Sequence, residues 1–216
     1  MRLLMLLVLL FPVLSFGSEE DKRRFEEMQV SAEQGDAKAQ YLLGAMYSLG
    51  KGVPTDDKAA VKWFRLAADQ GLANAQSNLG LMYSNGRGVP EDGKEAVKWF
   101  RRAADQGYAK AQFNLGNMYS NGRGVPEDDK EAVKWYRLAA DQGHAFAQNN
   151  LAVMYANGKG VPKNNLLAYM WTNIAGANGM YVEEKMGILT DLMSQADISK
   201  AQEKTTQYIK DHPDAY

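Results

Sequence analysis

A repeat of 36 residues runs through most of the chain and constrains its fold more than any other feature. Prolines, tyrosines and glycines recur at this interval, and residues 71–106 differ from residues 107–142 at only seven of 36 positions. Self-similarity at a period of about 20 to 50 residues is the signature of a solenoid or a related repeat architecture. The four tryptophans follow the same spacing: Trp63, Trp99, Trp135 and Trp171.

Each unit is predicted to contain two α-helices. In the second unit, residues 73–84 carry apolar side chains at intervals of three and four, which is typical of an amphipathic helix. The Asn-Gly pair at 85–86 ends it, because both residues tolerate the left-handed conformation found at helix C-termini. Asp92 and Glu95 have the spacing of a capping box and begin the second helix. Gly80 lies mid-helix, where glycine costs about 1 kcal/mol relative to alanine, so we expect a neighbouring helix to pass close by.

The period divides the chain into a leading helix, repeats and a closing segment. Solenoids need polar-faced terminal units to cover their exposed cores. We therefore expect an all-α fold of eleven helices in one right-handed α/α superhelix, or solenoid. The predicted segments are an N-terminal capping helix at 18–34, four repeats at 35–70, 71–106, 107–142 and 143–178, and C-terminal capping helices within 179–216, the first at 181–193 and the last from Ser194 to about Lys210.

Several stretches resemble the Sel1-like repeat, a relative of the tetratricopeptide repeat. In the third unit these are AQFNLG at 111–116, GRGVP at 122–126, and AVKWYR with the following alanines at 132–140. AYMW at 168–171 and MSQAD at 193–197 are similar to the closing segment of bacterial members. The resemblance implies an exported bacterial scaffold that binds other proteins, often in cell-envelope assembly, signalling or host contact.

Some cysteine-rich secreted relatives have been linked to penicillin binding and β-lactam hydrolysis. This chain contains no cysteine and so departs from that branch. Ser48 and Lys51 form the Ser-x-x-Lys pattern of serine β-lactamases. This segment occupies the same repeat positions as residues 84–87, 120–123 and 156–159, where each first helix ends in a turn. We therefore interpret Ser-x-x-Lys here as one sequence variant of that turn. We expect no catalytic residue, and a β-lactam or cell-wall hydrolase and a self-associating assembly factor remain the alternatives.

The first 17 residues have the pattern of a secretory signal peptide. Arg2 precedes an almost wholly apolar run at 3–14, and Ser15 and Gly17 place small residues where cleavage after Gly17 requires them. An uncleaved anchor would need about 20 apolar residues, and Pro12 interrupts this shorter run. We expect export to the periplasm or secretion, with no membrane span after cleavage.

Composition excludes several other classes of partner and site. Lys and Arg number 25 against 26 Asp and Glu, for a formal charge of −1, so the chain lacks the basic stripe that binds nucleic acid. With only His144 and His212, most catalytic triads and multi-histidine metal sites lack their residues. We expect no metal and no cofactor, and His144 to be an exposed first-turn residue.

Differences between the nearly identical repeats predict a binding face. Three of the seven lie on the first helix at intervals of three and four, and therefore on one side of it. First helices line the concave side of such solenoids, so we predict a groove in which a monomer binds a peptide segment of another protein through apolar anchors. The alternatives are unselected surface positions or packing against an adjacent helix. The predicted groove residues are Lys38, Tyr41, Asn74, Ser77, Leu81, Lys110, Phe113, Asn117, Phe146 and Asn149.

Overall fold

The computed structural model describes residues 18–213, and the expected signal peptide at 1–17 lies outside them. This part of the chain is all-helical, with eleven α-helices and no strand. The helices are α1 Glu19–Glu33, α2 Ala37–Leu49, α3 Asp57–Asp69, α4 Ala73–Asn85, α5 Gly93–Ala104, α6 Ala109–Ser120, α7 Asp129–Ala140, α8 Ala145–Asn157, α9 Asn165–Ala177, α10 Glu183–Asp191 and α11 Gln195–Asp211.

The helices stack in sequence order. Each first helix (α2, α4, α6 and α8) packs against the second helix of its own repeat, and that second helix packs against the first helix of the next repeat. The pattern confirms the predicted all-α solenoid of tandem helical hairpins. Buried alanines and leucines, such as Ala103 and Leu115, allow close helix contacts along the stack, and Trp171 is the largest fully buried side chain.

A polar side chain caps the second helix of every repeat. Asp92 accepts a hydrogen bond from the Glu95 N–H at 3.0 Å, as the capping-box spacing predicted. The predicted box is only partly formed, because the Glu95 carboxylate pairs with Lys98 at 2.8 Å. Equivalent caps begin the other second helices, including the two that lack the box spacing: Asp56, Asp128 and Asn164.

The mid-helix glycines face aromatic rings, which confirms the expected close approach. A Cβ at Gly80 would lie 2.7 Å from Cδ1 of Phe100 on the following helix, and a Cβ at Gly116 equally close to Tyr136. In the fourth repeat the corresponding pair is Ala152 and Thr172. A smaller side chain on the second helix therefore accompanies a larger one on the first.

The turn glycines fix the contact between consecutive repeats. Gly88 has φ +70°, and a Cβ there would lie 2.2 Å from the carbonyl oxygen of Asp57, the first residue of α3. The neighbouring Arg87 pairs with the Asp57 carboxylate at 2.6 Å. In the next repeat Arg123 donates to Ser84 O at 2.6 Å and pairs with Glu91 at 3.0 Å. These Gly-Arg-Gly turns therefore form part of the interface between consecutive repeats.

A ladder of buried glutamines, which sequence reasoning missed, runs through the stack. Gln112 is 4% exposed, donates to the carbonyl of Ala104 at 3.2 Å and accepts from Gln142 at 2.7 Å. Because buried polar groups are costly unless they are paired, this regular pairing holds neighbouring repeats in one register. The same positions are occupied in the other repeats by Gln40, Gln76 and Gln148, the last paired with Asn178.

The two ends depart from the repeat geometry. At the N-terminus, Ser18 and Asp21 form a complete capping box at the start of α1. At the C-terminus, α10 is shorter than the predicted 181–193, because it begins at Glu183 and ends at Asp191. Both α10 and α11 pack on α9. Near the C-terminus, His212 stacks on the Tyr208 ring with centroids 4.1 Å apart.

Candidate functional site

All ten predicted groove residues lie on the first helices α2, α4, α6 and α8, but their environments differ. Four of them are exposed and one is fully buried. The exposed residues are Lys38, Leu81, Lys110 and Phe146, and the half-buried ones are Tyr41, Asn74, Phe113, Asn117 and Asn149.

Ser77 is wrongly placed in the predicted groove. Its side chain is only 2% exposed, although the equivalent Phe113 reaches the surface of the third repeat. A serine side chain is too short to extend past the surrounding helices, whereas a phenylalanine side chain is long enough. The same position on the first helix is therefore buried in the second repeat and partly exposed in the third. The helix phase alone could not distinguish them.

Tyr41 and Phe113 contribute to the packing between helices. The Tyr41 ring lies 5.9 Å from that of Phe64, and the Phe113 ring lies 6.1 Å from that of Tyr136. These distances are in the usual range of favourable aromatic pairs. The alternative of packing against an adjacent helix therefore applies to both residues, which form the edge of the core as well as part of the face.

His144 is half-buried, so its expected exposure is wrong. It is the N-cap of α8, where its Nδ1 accepts the Ala147 N–H at 3.3 Å, and its ring stacks on Phe113 at 4.6 Å. Burial lowers the pKa of His144, and the positive charge of Lys110 acts in the same direction. The neutral imidazole is thus the form that caps the helix and supports the aromatic cluster.

Phe146 is the most exposed of the predicted apolar anchors. Its side chain is 60% exposed, and its ring centroid lies 6.2 Å from that of Phe113. Seven residues along the same helix, Val153 is 38% exposed. Because positions seven apart share one side of a helix, Phe146 and Val153 lie on one line along α8, with Asn149 and Asn150 between them.

An asparagine-rich cavity lies beside this line. It has a volume of about 250 Å³ and lies between α6 and α8. Asn117 accepts hydrogen bonds from the Tyr136 hydroxyl at 2.8 Å and from Asn150 at 3.3 Å. Burial raises the pKa of Tyr136, which keeps its hydroxyl a donor. The cavity residues are Asn117, Ser120, Asn121, Tyr136, Asn150, Val153, Met154, Asn157 and Lys159.

The Tyr136 hydrogen bond explains one of the differences between the middle repeats. The second repeat has Phe100 and Leu81 where the third has Tyr136 and Asn117. A phenylalanine needs no acceptor, whereas a buried tyrosine hydroxyl does. Asn117 thus has a structural partner, and its difference from Leu81 is a paired change.

A second, more apolar cavity adjoins the first. It has a volume of about 390 Å³, is bounded by α8, α9 and α10, and shares Val153 and Asn157 with the asparagine-rich cavity. Ile188 and Leu192 at its edge are 56% and 60% exposed. Sequence reasoning missed this cavity, although their spacing of four residues was a signal. Throughout, apolar face denotes Phe146, Val153, Ile188 and Leu192.

The Ser-x-x-Lys segment is a helix end, as the repeat register predicted. Ser48 lies in the last turn of α2, which ends at Leu49, and Gly50 follows with φ +69°. Lys51 comes after this left-handed residue. The Ser48 hydroxyl lies 3.4 Å from the guanidinium of Arg87 in the next repeat. The contact between Ser48 and Arg87 is therefore part of the interface between consecutive repeats.

Two structural features are absent from residues 18–213. This part of the chain has no group of three or more His, Cys, Asp or Glu side chains placed to hold a metal ion. It also has no helix that is long and apolar enough to cross a membrane.

The structure is a tandem array of helical hairpins. The surface formed by its first helices carries both apolar and polar side chains. A sequence model described as Sel1 repeat matches residues 37–72, 73–108, 109–144 and 145–180. The chain belongs to the Sel1 repeat family, a family of protein–protein interaction scaffolds whose fold is typically non-enzymatic.

Solved structures of bacterial proteins share this fold. The chain is 36% identical to c5321, a protective antigen of uropathogenic Escherichia coli strains, with a TM-score of 0.83 over 88% of this chain and 42% of that one. It is also 36% identical to a Sel1 repeat protein from Oxalobacter formigenes, with a TM-score of 0.70 over 80% of this chain and 49% of that one. This chain thus spans less than half of either protein.

A more distant structure is similar in fold alone. The immunity protein Pa5087 from Pseudomonas aeruginosa is 18% identical, with a TM-score of 0.52 over 87% of this chain and 74% of that one. A comparison with curated proteins gives no match.

Proposed function

We propose that this protein is a non-enzymatic scaffold that binds a segment of another protein across α6, α8 and α10. The observation that carries the proposal is the apolar face next to two adjoining cavities. Of its four side chains, Phe146, Ile188 and Leu192 are more than half exposed, and Val153 is 38% exposed. Burial of apolar surface contributes about 25 cal/mol per Å², so a partner that covers this face has a source of binding energy.

The asparagine-rich cavity supplies the polar part of such an interface. An extended peptide segment carries backbone N–H and C=O groups that must stay hydrogen-bonded when water is removed. An asparagine side chain can donate two hydrogen bonds and accept two. Asn117 and Asn150 bond to each other at 3.3 Å, which fixes their amides in place beside the apolar face.

The ten predicted groove residues divide under this proposal. Asn117 lines the asparagine-rich cavity, Asn149 accepts a hydrogen bond from Lys185 at the edge of the larger one, and the Phe113 ring lies 6.2 Å from that of Phe146. Lys38, Tyr41, Asn74, Leu81 and Lys110 would extend the binding face toward the N-terminus, while Ser77 is buried and is excluded.

A capture experiment tests the proposal. Tagged protein is recovered from the cells that produce it, after reversible crosslinking, in three forms: unchanged, Phe146→Glu, and Leu138→Glu. Leu138 is the matched control, since it is 46% exposed and lies on the second helix α7. We expect Phe146→Glu to lose the partner and Leu138→Glu to keep it, with helicity unchanged in both. Equal capture by both variants, or equal loss, would overturn the proposed face.

We also propose that the protein acts outside the cytoplasm, in the periplasm or as a secreted protein. The support is the charge, apolar run and small residues of 1–17. Mass spectrometry of the protein from separated cell fractions tests this: the expected N-terminus is Ser18 in an exported fraction. An intact Met1 in the cytosol would contradict it.

The proposal that the protein is not an enzyme rests on the position of Ser48 and Lys51 on either side of a left-handed glycine. We expect no hydrolysis of the β-lactam nitrocefin above the buffer rate. Hydrolysis that disappears in Ser48→Ala would instead support the hydrolase alternative. Light scattering tests the remaining alternative, because a self-associating factor would exceed the mass of the expected monomer.

A further inference from the structure

The chemistry of the partner can be read from the charges around the two cavities. Three lysines line them: Lys159 borders the asparagine-rich cavity, and Lys163 and Lys185 border the more apolar one. Of the residues that the structure describes, no aspartate or glutamate lines either cavity. This inference rests on the proposed function and extends it to the kind of segment that is bound.

None of these lysines forms an ion pair within residues 18–213. The salt bridges of this region involve other cations. Lys159 occupies the position of Arg87 and Arg123, each of which pairs with a carboxylate of the preceding repeat. The Lys185 ammonium donates to the neutral amide of Asn149. Within residues 18–213, the positive charges of these three lysines are therefore not paired with a carboxylate.

The fourth repeat reverses the charge found at one position of the middle repeats. Lys163 corresponds to Glu91 in the second repeat and Glu127 in the third. The nearest acidic residues in sequence to Lys185 are Glu183 and Glu184, which precede it in the first turn of α10. The Glu183 carboxylate accepts the Val182 N–H at 3.2 Å, next to its own helix start. Lys163 thus places a positive charge at the edge of the larger cavity, where the middle repeats have glutamate, and Asp197 lines a neighbouring cavity that Lys163 also borders.

Apolar and positive groups occupy the same site. Val153, Ile188, Leu189 and Leu192 form the apolar wall of the larger cavity, whose volume is about 390 Å³. Lys163 and Lys185 border the same space.

We infer that the cavity end of the array binds an acidic amphipathic peptide segment. Its leucine-like or aromatic side chain enters the larger cavity, and its aspartate or glutamate side chains lie against Lys159, Lys163 and Lys185. Charge complementarity of this kind selects among partners and speeds association, while the buried apolar side chain supplies most of the affinity.

Peptide selection on the purified protein tests this inference. A random dodecapeptide library on phage is selected against three forms: unchanged, a Lys163→Glu and Lys185→Glu double variant, and a Lys94→Glu and Lys130→Glu double variant. The last is the matched control, because it changes the net charge equally at exposed positions on α5 and α7. Glutamate at 163 is already compatible with the fold, since Glu91 and Glu127 occupy that position in other repeats.

We expect the unchanged and control forms to select peptides with acidic residues on both sides of an apolar one. Fluorescence anisotropy with the best such peptide should show binding roughly tenfold weaker or more for Lys163→Glu and Lys185→Glu. The control form should bind within about twofold of the unchanged protein. Binding should also weaken as salt rises, because exposed charges are screened.

Other outcomes separate this inference from the proposed function. Neutral or basic peptides that bind the unchanged form but fail to bind Phe146→Glu in the anisotropy assay would overturn the acidic partner and leave the binding face intact. A failure to select any peptide that depends on Phe146 would count against both. Cosedimentation with anionic phospholipid vesicles that disappears in Lys163→Glu and Lys185→Glu, without selection of acidic peptides, would assign the lysines to a membrane surface and overturn the inference.

Discussion

The contact between Gly80 and Phe100 gives a sharp test of how the repeats pack. In Gly80→Ala the new Cβ would lie 2.7 Å from two carbon atoms of the Phe100 ring. Carbon atoms at their optimal separation are about 3.5 to 4.0 Å apart. Phe100 is only 1% exposed, so its ring cannot move into solvent, and helix α5 or its neighbours must shift.

Two opposing terms set the size of the effect. Alanine is favoured over glycine within a helix by about 1 kcal/mol, whereas overpacking a core costs about 1 to 3 kcal/mol. We therefore expect Gly80→Ala to lower the free energy of unfolding by about 1 kcal/mol. Urea denaturation followed by circular dichroism measures it.

Gly187 provides the matched control. It lies within α10, and a Cβ there would meet nothing within 4 Å. Gly187→Ala should therefore raise the free energy of unfolding, by up to about 1 kcal/mol. In the background of Phe100→Thr, which copies the Ala152 and Thr172 pair of the fourth repeat, Gly80→Ala should cease to be destabilising. A Gly80→Ala variant that is as stabilised as Gly187→Ala would refute the close-approach reasoning.

Three further predictions follow from single contacts. Gln112→Leu removes one hydrogen bond from the Ala104 carbonyl and one from the Gln142 amide, which keep the Gly107 N–H and the Leu138 carbonyl as partners, and should cost about 1 kcal/mol of stability in urea denaturation; a neutral result would contradict the ladder. Phe113→Glu should destabilise by about 2 kcal/mol because the ring packs on the core, while Phe146→Glu should change stability by less than about 0.5 kcal/mol; equal melting temperatures would contradict this difference. The lowered pKa of His144 means that the unfolded state binds its proton more readily, so stability should fall as the pH drops below 6.5, and His144→Asn, which keeps a capping side chain, should remove that part of the pH dependence. If the free energies of unfolding of the unchanged protein and His144→Asn differed by the same amount at neutral and acidic pH, this prediction would be wrong.

The repeat made the fold predictable from sequence, because one helical hairpin had to recur in each unit. The interval between Gly80 and Gly116 showed that the close helix approach repeats too. The buried glutamines recur at the same interval, as Gln40, Gln76, Gln112 and Gln148, but recurrence alone does not show that a polar side chain is buried. Gln112 lies on a helix with polar neighbours, and it is buried because the preceding repeat covers it.

The candidate site was only partly predictable, for a related reason. Helix phase placed Phe113 and Ser77 on the same side, but exposure depends on side-chain length and on what covers each position. Asn117 differs from Leu81 because it accepts the Tyr136 hydroxyl at 2.8 Å, a pairing visible only in three dimensions. The larger cavity depends on where α10 packs against α9, outside the repeat register.

Site-specific photocrosslinking tests the central claim most directly. A photoreactive amino acid replaces Phe146 in one form of the protein and Leu138 in another, and both are irradiated in the cells that produce them. The account predicts a discrete adduct with one partner protein from position 146 and none from position 138. An adduct from position 138 alone, or indistinguishable products from both positions, would contradict a binding face on the first helices.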